Sequence, residues 1–228
     1  VPLVSVLRDD DRAVRDAATS ALLAIGEPAV TTLGVCLSDP VRTVQELASS
    51  VLSTIADVRV FAPLVKALAS PDWIVRMHAA KALGRIQDPE AVAPLVPLLQ
   101  DRVKAVREET SSALAAIGEA ALSSLIAALN HAEWLVRLHA VEALGKTRSP
   151  EAVEPLLSVL FNDQDRAVRE DAVRALGQIG NPRAVGFLVT AMKTPGLRPL
   201  AVEALGRIGD RRAVPVLIEV LEGVDRPE

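Results

Sequence analysis

Two of the chain's three histidines stand in the same setting. The segment Trp-x-Val-Arg-x-His-Ala-x-x-Ala-Leu-Gly runs from Trp73 to Gly84 and again from Trp134 to Gly145, 61 residues later. His78 and His139 therefore occupy one register of a repeat. Paired histidines would ligate a metal or relay a proton if their rings met at one site. Their spacing argues against it, because helices two repeats apart lie roughly 20 Å from one another. The remaining histidine, His131, falls in a turn. Cys36 sits among Leu33, Val35 and Leu37 with no histidine nearby in sequence, which marks a core thiol rather than a nucleophile. The chain has no Gly-x-Ser-x-Gly, no phosphate-binding glycine loop and no zinc spacing. These residues point away from an enzyme, a metal site and any cofactor.

The register recurs along the whole chain, and it shows which elements must position these side chains. Anchored on the apolar residue ahead of the recurrent Arg, the copies fall at Val14, Val44, Val75, Val106, Val136, Val168 and Leu197, spaced 29 to 32 residues apart. A fixed period of this size marks a solenoid of short supersecondary units. Each unit reads as two helices. The first is opened by Pro, as in Asp88-Pro89-Glu90-Ala91-Val92 and Ser149-Pro150-Glu151-Ala152-Val153, where the missing N–H has no helical partner to lose. The second carries the Val-Arg anchor and ends near Gly, as at Gly26, Gly118 and Gly180. Val75, Ala79, Ala82, Leu83 and Ile86 share one face at helical spacing. So short a pair cannot bury that face alone, so neighbouring units must stack. The expected units are 8–38, 39–69, 70–100, 101–130, 131–161, 162–193 and 194–222, forming one array. Val1 to Leu7 matches the second half of later helices such as Pro94 to Leu99, and no Met opens the chain. A piece of a longer protein is expected.

Half of the 228 residues are hydrophobic, yet aromatics make up only 2% and Tyr is absent. The core must be built from small and medium aliphatics. Arg outnumbers Lys 20 to 5, but 29 acids outweigh the 25 bases. A mildly acidic chain disfavours nucleic acid and anionic membranes. No apolar stretch reaches about 18 residues, and one Cys cannot form an intrachain disulfide. A reducing, cytoplasmic compartment fits.

Val-Arg-x-x-Ala-Ala-x-Ala-Leu-Gly-x-Ile followed by Asp-Pro-x-Ala-Val-x-Pro-Leu, seen from Val75 to Leu95, resembles the HEAT-like repeat named after phycobilisome lyases. The resemblance extends over essentially the whole chain. It implies an all-α fold, an α-solenoid of about seven two-helix HEAT-like repeats. It also implies a right-handed superhelix with a concave face lined by the second helices. The second repeat departs from the pattern with Gln45 for Arg and Ala56-Asp57 for the Gly turn, and the seventh with Pro199 early in its second helix. Irregular curvature is expected there. Arg15, Arg76, Arg107, Arg137, Arg169 and Arg198 recur beside a buried anchor, with Asp shortly upstream in several copies, as Asp11 and Asp72. They read as an Arg–Asp ladder joining one repeat to the next. Deoxyhypusine hydroxylase is similar in outline and uses His-Glu pairs to hold two irons. The dipeptides here are His78-Ala79 and His139-Ala140, so that chemistry is not implied.

On each second helix, offsets −1, +2, +3, +6 and +10 from the anchor lie opposite much of the core. They are Ile74, Met77, His78, Lys81 and Arg85 in the third repeat, and Leu135, Leu138, His139, Glu142 and Lys146 in the fifth. The fourth repeat places Glu108 and Glu109 between them. Over seven repeats these positions hold eight acids against five bases, the wrong sign for a phosphate backbone. The expected site is a partner-binding patch of Trp73, Ile74, Met77, His78, Lys81, Arg85, Glu108, Glu109, Trp134, Leu135, Leu138 and His139, with solvated histidines. Large amphipathic side chains in a groove are the usual anchors of an interface. The expected partner is a protein or peptide segment with basic and apolar groups, with no nucleic acid and no membrane insertion. The chain then serves as a non-enzymatic scaffold. The resemblance implies an alternative, a subunit of a phycobilin lyase or isomerase, with Lys81, Arg85 and Lys146 meeting tetrapyrrole propionates. A DNA-repair glycosylase of similar helices is opposed by the groove charge. In the repeat family, Trp at this offset also caps the turn between helices.

Overall fold

A computed structural model describes residues 5–194 and 196–224, with side chains through residue 219. Helices follow one another along the described chain: α1 (Arg12–Ile25), α2 (Val30–Cys36), α3 (Arg42–Ile55), α4 (Phe61–Ala67), α5 (Trp73–Ile86), α6 (Val92–Leu95), α7 (Lys104–Ile117), α8 (Glu119–Ala128), α9 (Trp134–Thr147), α10 (Val153–Asn162), α11 (Arg166–Ile179), α12 (Val185–Ala191), α13 (Arg198–Ile208) and α14 (Val214–Val224). The odd-numbered helices carry the Val-Arg anchor. Most even-numbered ones are entered through a three-residue 3-10 turn. Asp57, Asp88, Ser149, Asn181 and Asp210 open such turns, each side chain accepting the amide two residues on. Helix α6 stops after four residues, and the chain continues as a 3-10 turn through Gln100. Pro97 has no amide with which to extend the α-helix.

The two repeats that depart from the pattern differ at their helix ends. Gly118, Gly180 and Gly209 take positive φ past their helices, but so do Ala56, Gln87 and Arg148, at φ 52°, 57° and 54°. The left-handed cap thus forms in the second repeat without its glycine, at the steric cost a Cβ brings there. Pro199 sits at the second position of α13, which has 11 residues where the other Val-Arg helices have 14. The departure shortens the helix, because Pro suits only the first turn.

Among the described residues the helices cluster into two compact units, divided between Ala121 and Leu122. In the first, α5 packs between α3 and α7, with α2, α4 and α6 against α3, α5 and α7. In the second, α11 packs between α9 and α13, with α10 and α12 on α11 and α13. Among the described residues the buried hydrophobic core is mostly Leu, Val and Ala, with Cys36, Ile117 and Met192, and holds no Phe or Trp. Small residues let the helices touch. A Cβ on Gly84 would stand 2.6 Å from Ala113 Cα, and one on Gly177 would stand 2.8 Å from Ala204 Cα. No single helix among the described residues is long and apolar enough to cross a membrane.

At Arg76 and Arg137 the recurrent Arg joins successive repeats, but not through the upstream Asp. Arg76 Nε and Nη2 reach the two carboxylate oxygens of Asp101 at 2.7 and 2.9 Å, 25 residues later. Arg137 grips Asp163 at the same distances. Both pairs are buried, and the planar fork matches the carboxylate. The upstream Asp11, Asp72 and Asp165 instead cap their own helices. Each of Arg15, Arg76, Arg107, Arg137 and Arg169 also donates to the carbonyl six residues earlier. Gln45 makes that bond to Asp39 in place of Arg. Arg198 is exposed at the start of the shortened α13.

Candidate functional site

Trp73 and Trp134 are the first residues of α5 and α9, and 37% and 42% of their surfaces are exposed. A first helical residue has no intrahelical amide bond to protect, so helix formation does not dictate its identity. Asp72 fixes the α5 entry by accepting the Ile74 amide at 2.9 Å. One turn on, Met77 and Leu138 lie on the same helical faces as the Trp residues, half-buried. Ile74 and Leu135 are also half-buried.

Comparing this pair of positions across the repeats shows what the sequence reading missed. Where α5 and α9 carry Trp with Met or Leu, four other Val-Arg helices, α1, α3, α7 and α11, carry ion pairs. These are Arg12–Asp16 at 3.5 Å, Arg42–Glu46 at 2.8 Å, Lys104–Glu108 at 3.1 Å and Arg166–Glu170 at 2.7 Å. The signal was present in the sequence, since all six leading residues stand two places before the anchor. Arg42 also meets Asp72 at the α5 cap. Other acids of the supposed acidic strip are answered within their own helices. Lys146 bonds Glu142, Arg174 bonds Asp171 and Arg207 bonds Glu203. The leading cations Arg12, Arg42, Lys104 and Arg166 thus offset acids of this face.

The histidines are not solvated groove side chains. His139 is only 4% exposed, and its Nδ1 lies 2.9 Å from Glu142 Oε2. An ionised carboxylate only accepts, so the ring nitrogen donates. Lys146 donates to the other oxygen of Glu142 at 2.6 Å. Burial pushes the Glu142 carboxyl up, but His139 and Lys146 together hold it below its ordinary value. His78 is half-buried, and its Nδ1 lies 3.1 Å from Ser49 Oγ on α3. Ser49 spends its one proton on the Glu46 carbonyl, so His78 Nδ1 is the donor. Burial, aided by the Lys81 charge, lowers the His78 pKa. Offset +3 lies only about 40° around the helix from the buried offset +7, which is why it is drawn in.

Lys81, Arg85 and Glu109 come together with Gln87 and Ser112 along a cleft of about 340 Å³ between α5 and α7. Arg85 is committed to the Ser53 carbonyl of α3, and Gln87 donates to the Ala116 carbonyl at 2.7 Å. With Lys146 held by Glu142, two of the three side chains offered for propionates already have protein partners. Glu108 is exposed on α7 and Glu109 half-buried. The Trp73 group belongs to the first unit and the Trp134 group to the second. Cys36 is buried, and burial raises its thiol pKa, as for a core residue. One aromatic pair escaped the sequence reading. Phe161 and Phe187, on α10 and α12, are 46% and 44% exposed with ring centroids 6.3 Å apart. They fall outside the Val-Arg register, so the repeat alignment gave no hint of them.

A family model of HEAT repeats matches residues 31–115, 61–131, 122–196 and 153–227. The chain belongs to the HEAT repeat family. No curated protein matches it. Solved structures share the fold. YibA of E. coli is 23% identical over 99% of this chain and 87% of its own, with a TM-score of 0.58. The CpcE–CpcF complex of phycocyanin lyase from Nostoc is 22% identical over 97% of this chain and 92% of that one, at 0.51. A structure of Kap95p with RanGDP is 15% identical over 99% of this chain but 38% of that one, at 0.70. At such identities the likeness is one of fold, an all-helical HEAT-repeat solenoid.

Proposed function

We propose that this HEAT repeat protein is a non-enzymatic scaffold that holds a protein partner on the faces presented by its Val-Arg helices. One observation carries the reading. The chain has five aromatic residues, its core uses none of them, and four are more than a third exposed. Large rings kept on the surface of an aliphatic solenoid are the usual energetic anchors of an interface. Trp73 with Met77, and Trp134 with Leu138, are such anchors on rigid helix starts. Kap95p, built on a similar fold, binds RanGDP. That is a property of Kap95p, and it supports the reading only by showing this architecture in protein recognition.

The test is capture of a partner from extract of the native cell by the wild type and by Trp73→Ala/Trp134→Ala. More than half of each ring is covered, so the double variant should unfold at a lower midpoint but keep its helicity while capture is lost. Undiminished capture by the double variant would refute the reading.

A further inference from the structure

We infer that the first unit takes an extended acidic segment, bound across α3, α5 and α7 with one apolar side chain on Trp73 and an acid on either side of it. The inference rests on the partner-binding reading and names the partner's chemistry.

The three helix starts form a row. Arg42, Trp73 and Lys104 are the first residues of α3, α5 and α7. The ion pair of Arg42 with Asp72 ties the α3 start to the α5 cap. The Arg76–Asp101 pair ties the first turn of α5 to the loop before α7. The row therefore reads cation, aromatic, cation at successive helix spacings.

In this row the cations stand further out than the acids that pair with them. The Arg42 side chain is 65% exposed while its partner Glu46 is 27% exposed, and Lys104 is 75% exposed against 48% for Glu108. Asp72 is buried under the cap, and Asp101 is held by Arg76. Arg102, just ahead of Lys104, is exposed as well. Glu46 and Glu108 lie one turn along the helices and are less exposed than their cations. An incoming chain meets the cations first.

Spacing then selects the conformation. Packed helices stand about 8–10 Å apart. A polyproline II chain turns once every three residues and rises about 9.3 Å as it does so, so residues i, i+3 and i+6 share one side and match three successive helices. A β-strand covers a similar length in three residues but turns i and i+3 to opposite faces. An α-helical partner needs a broad apolar groove, whereas the apolar strip here is one helix wide and bounded by ion pairs. The matching register is acid-x-x-apolar-x-x-acid.

The test uses labelled peptides and fluorescence anisotropy with the whole chain. Glu-Pro-Pro-Leu-Pro-Pro-Glu is compared with its Lys-for-Glu counterpart and with Glu-Pro-Leu-Pro-Glu, which keeps the charge and breaks the spacing. An exposed pair is worth about twofold to fivefold in affinity, so the Lys peptide and the shortened peptide should each bind about tenfold more weakly. Arg42→Gln/Lys104→Gln should cost about as much and flatten the salt dependence, and Trp73→Ala should abolish binding, with circular dichroism confirming the fold of each variant. Equal binding of the Lys or shortened peptide would overturn the inference. So would unchanged affinity in the Arg42→Gln/Lys104→Gln variant, no binding of the acidic peptide, or tighter binding of an acidic amphipathic helix. If capture from extract still depends on Trp73 and Trp134 after such a result, the register falls and the scaffold reading stands.

Discussion

Gly84→Ala should destabilise the protein, although Ala is the better helix former. Gly84 lies inside α5, where replacing Gly by Ala in an exposed site would gain about 1 kcal/mol. The new Cβ, however, would stand 2.6 Å from Ala113 Cα and 2.7 Å from Ala113 Cβ. Carbon atoms rest about 3.5 Å apart, so α5 and α7 would have to part by about 0.9 Å. Both clashing atoms belong to a helix backbone or its first side-chain carbon, and no rotamer change relieves them. Overpacking of this kind costs about 1–3 kcal/mol, leaving a net loss of about 1 kcal/mol. Gly206 is the internal control. It occupies the same place in Ala204-Leu205-Gly206, is exposed, and has no described atom within 4 Å of its would-be Cβ. Gly206→Ala should stabilise by about 0.5–1 kcal/mol. Urea unfolding followed at 222 nm separates the two, with opposite shifts of midpoint expected at similar slope. Adding Ala113→Gly should rescue Gly84→Ala only in part, because it removes the Cβ and leaves the Cα. If Gly84→Ala proves as stabilising as Gly206→Ala, the argument that glycine here serves close helix approach is wrong.

The same measurement checks the ladder: Arg76→Ala, which strands Asp101 in a buried site, should cost about 3 kcal/mol, and Arg76→Lys should recover little because an ammonium cannot make the forked contact. Arg148→Gly and Ala56→Gly relieve Cβ strain at positive φ and should raise stability by about 0.5–1 kcal/mol, read as a higher midpoint. Asp57 and Asp210 are held down to about 2 by the side chain and then the amide of Arg59 and Arg212. Their folded pKa lies below the unfolded one, so their contribution is present above about pH 4 and is lost as pH falls toward 2. Carboxyl-carbon NMR should place both midpoints near 2, and midpoints near 4 would show that these turns are open.

Much of the fold could be read from the chain because packing repeats itself. Val75, Ala79, Leu83 and their counterparts recur, and the Pro and Asx residues that open each even-numbered helix are local signals. The partners of the recurrent Arg were not legible. Arg76 has acids both before and after it, and only the fold shows that Asp72 is occupied by the Ile74 amide while Asp101 faces the guanidinium. The candidate site was half legible. Trp73 and Trp134 stood out by type, but His139 lies at the border of the buried arc, where one-dimensional offsets do not separate core from surface. The ion pairs were missed for a different reason. Arg42 and Lys104 look like ordinary solvated residues until they are aligned with Trp73.

That alignment explains where a repeat protein can carry specificity. Within the first unit the helices are clamped at both ends. Arg42–Asp72 and Arg76–Asp101 hold the starts, while Arg85 to the Ser53 carbonyl and Gln87 to the Ala116 carbonyl hold the other ends. Contact between Gly84 and Ala113 limits sliding in the middle. Positions inside that frame admit little change, as the repeated Val, Ala, Leu and Gly show. The first residues of the odd-numbered helices from α1 to α11 are Arg, Arg, Trp, Lys, Trp and Arg, and apart from Arg42, which belongs to a clamp, they lie outside that frame. A rigid frame spares a partner the cost of ordering the surface, which is why the recognition proposed above is placed at these variable helix starts.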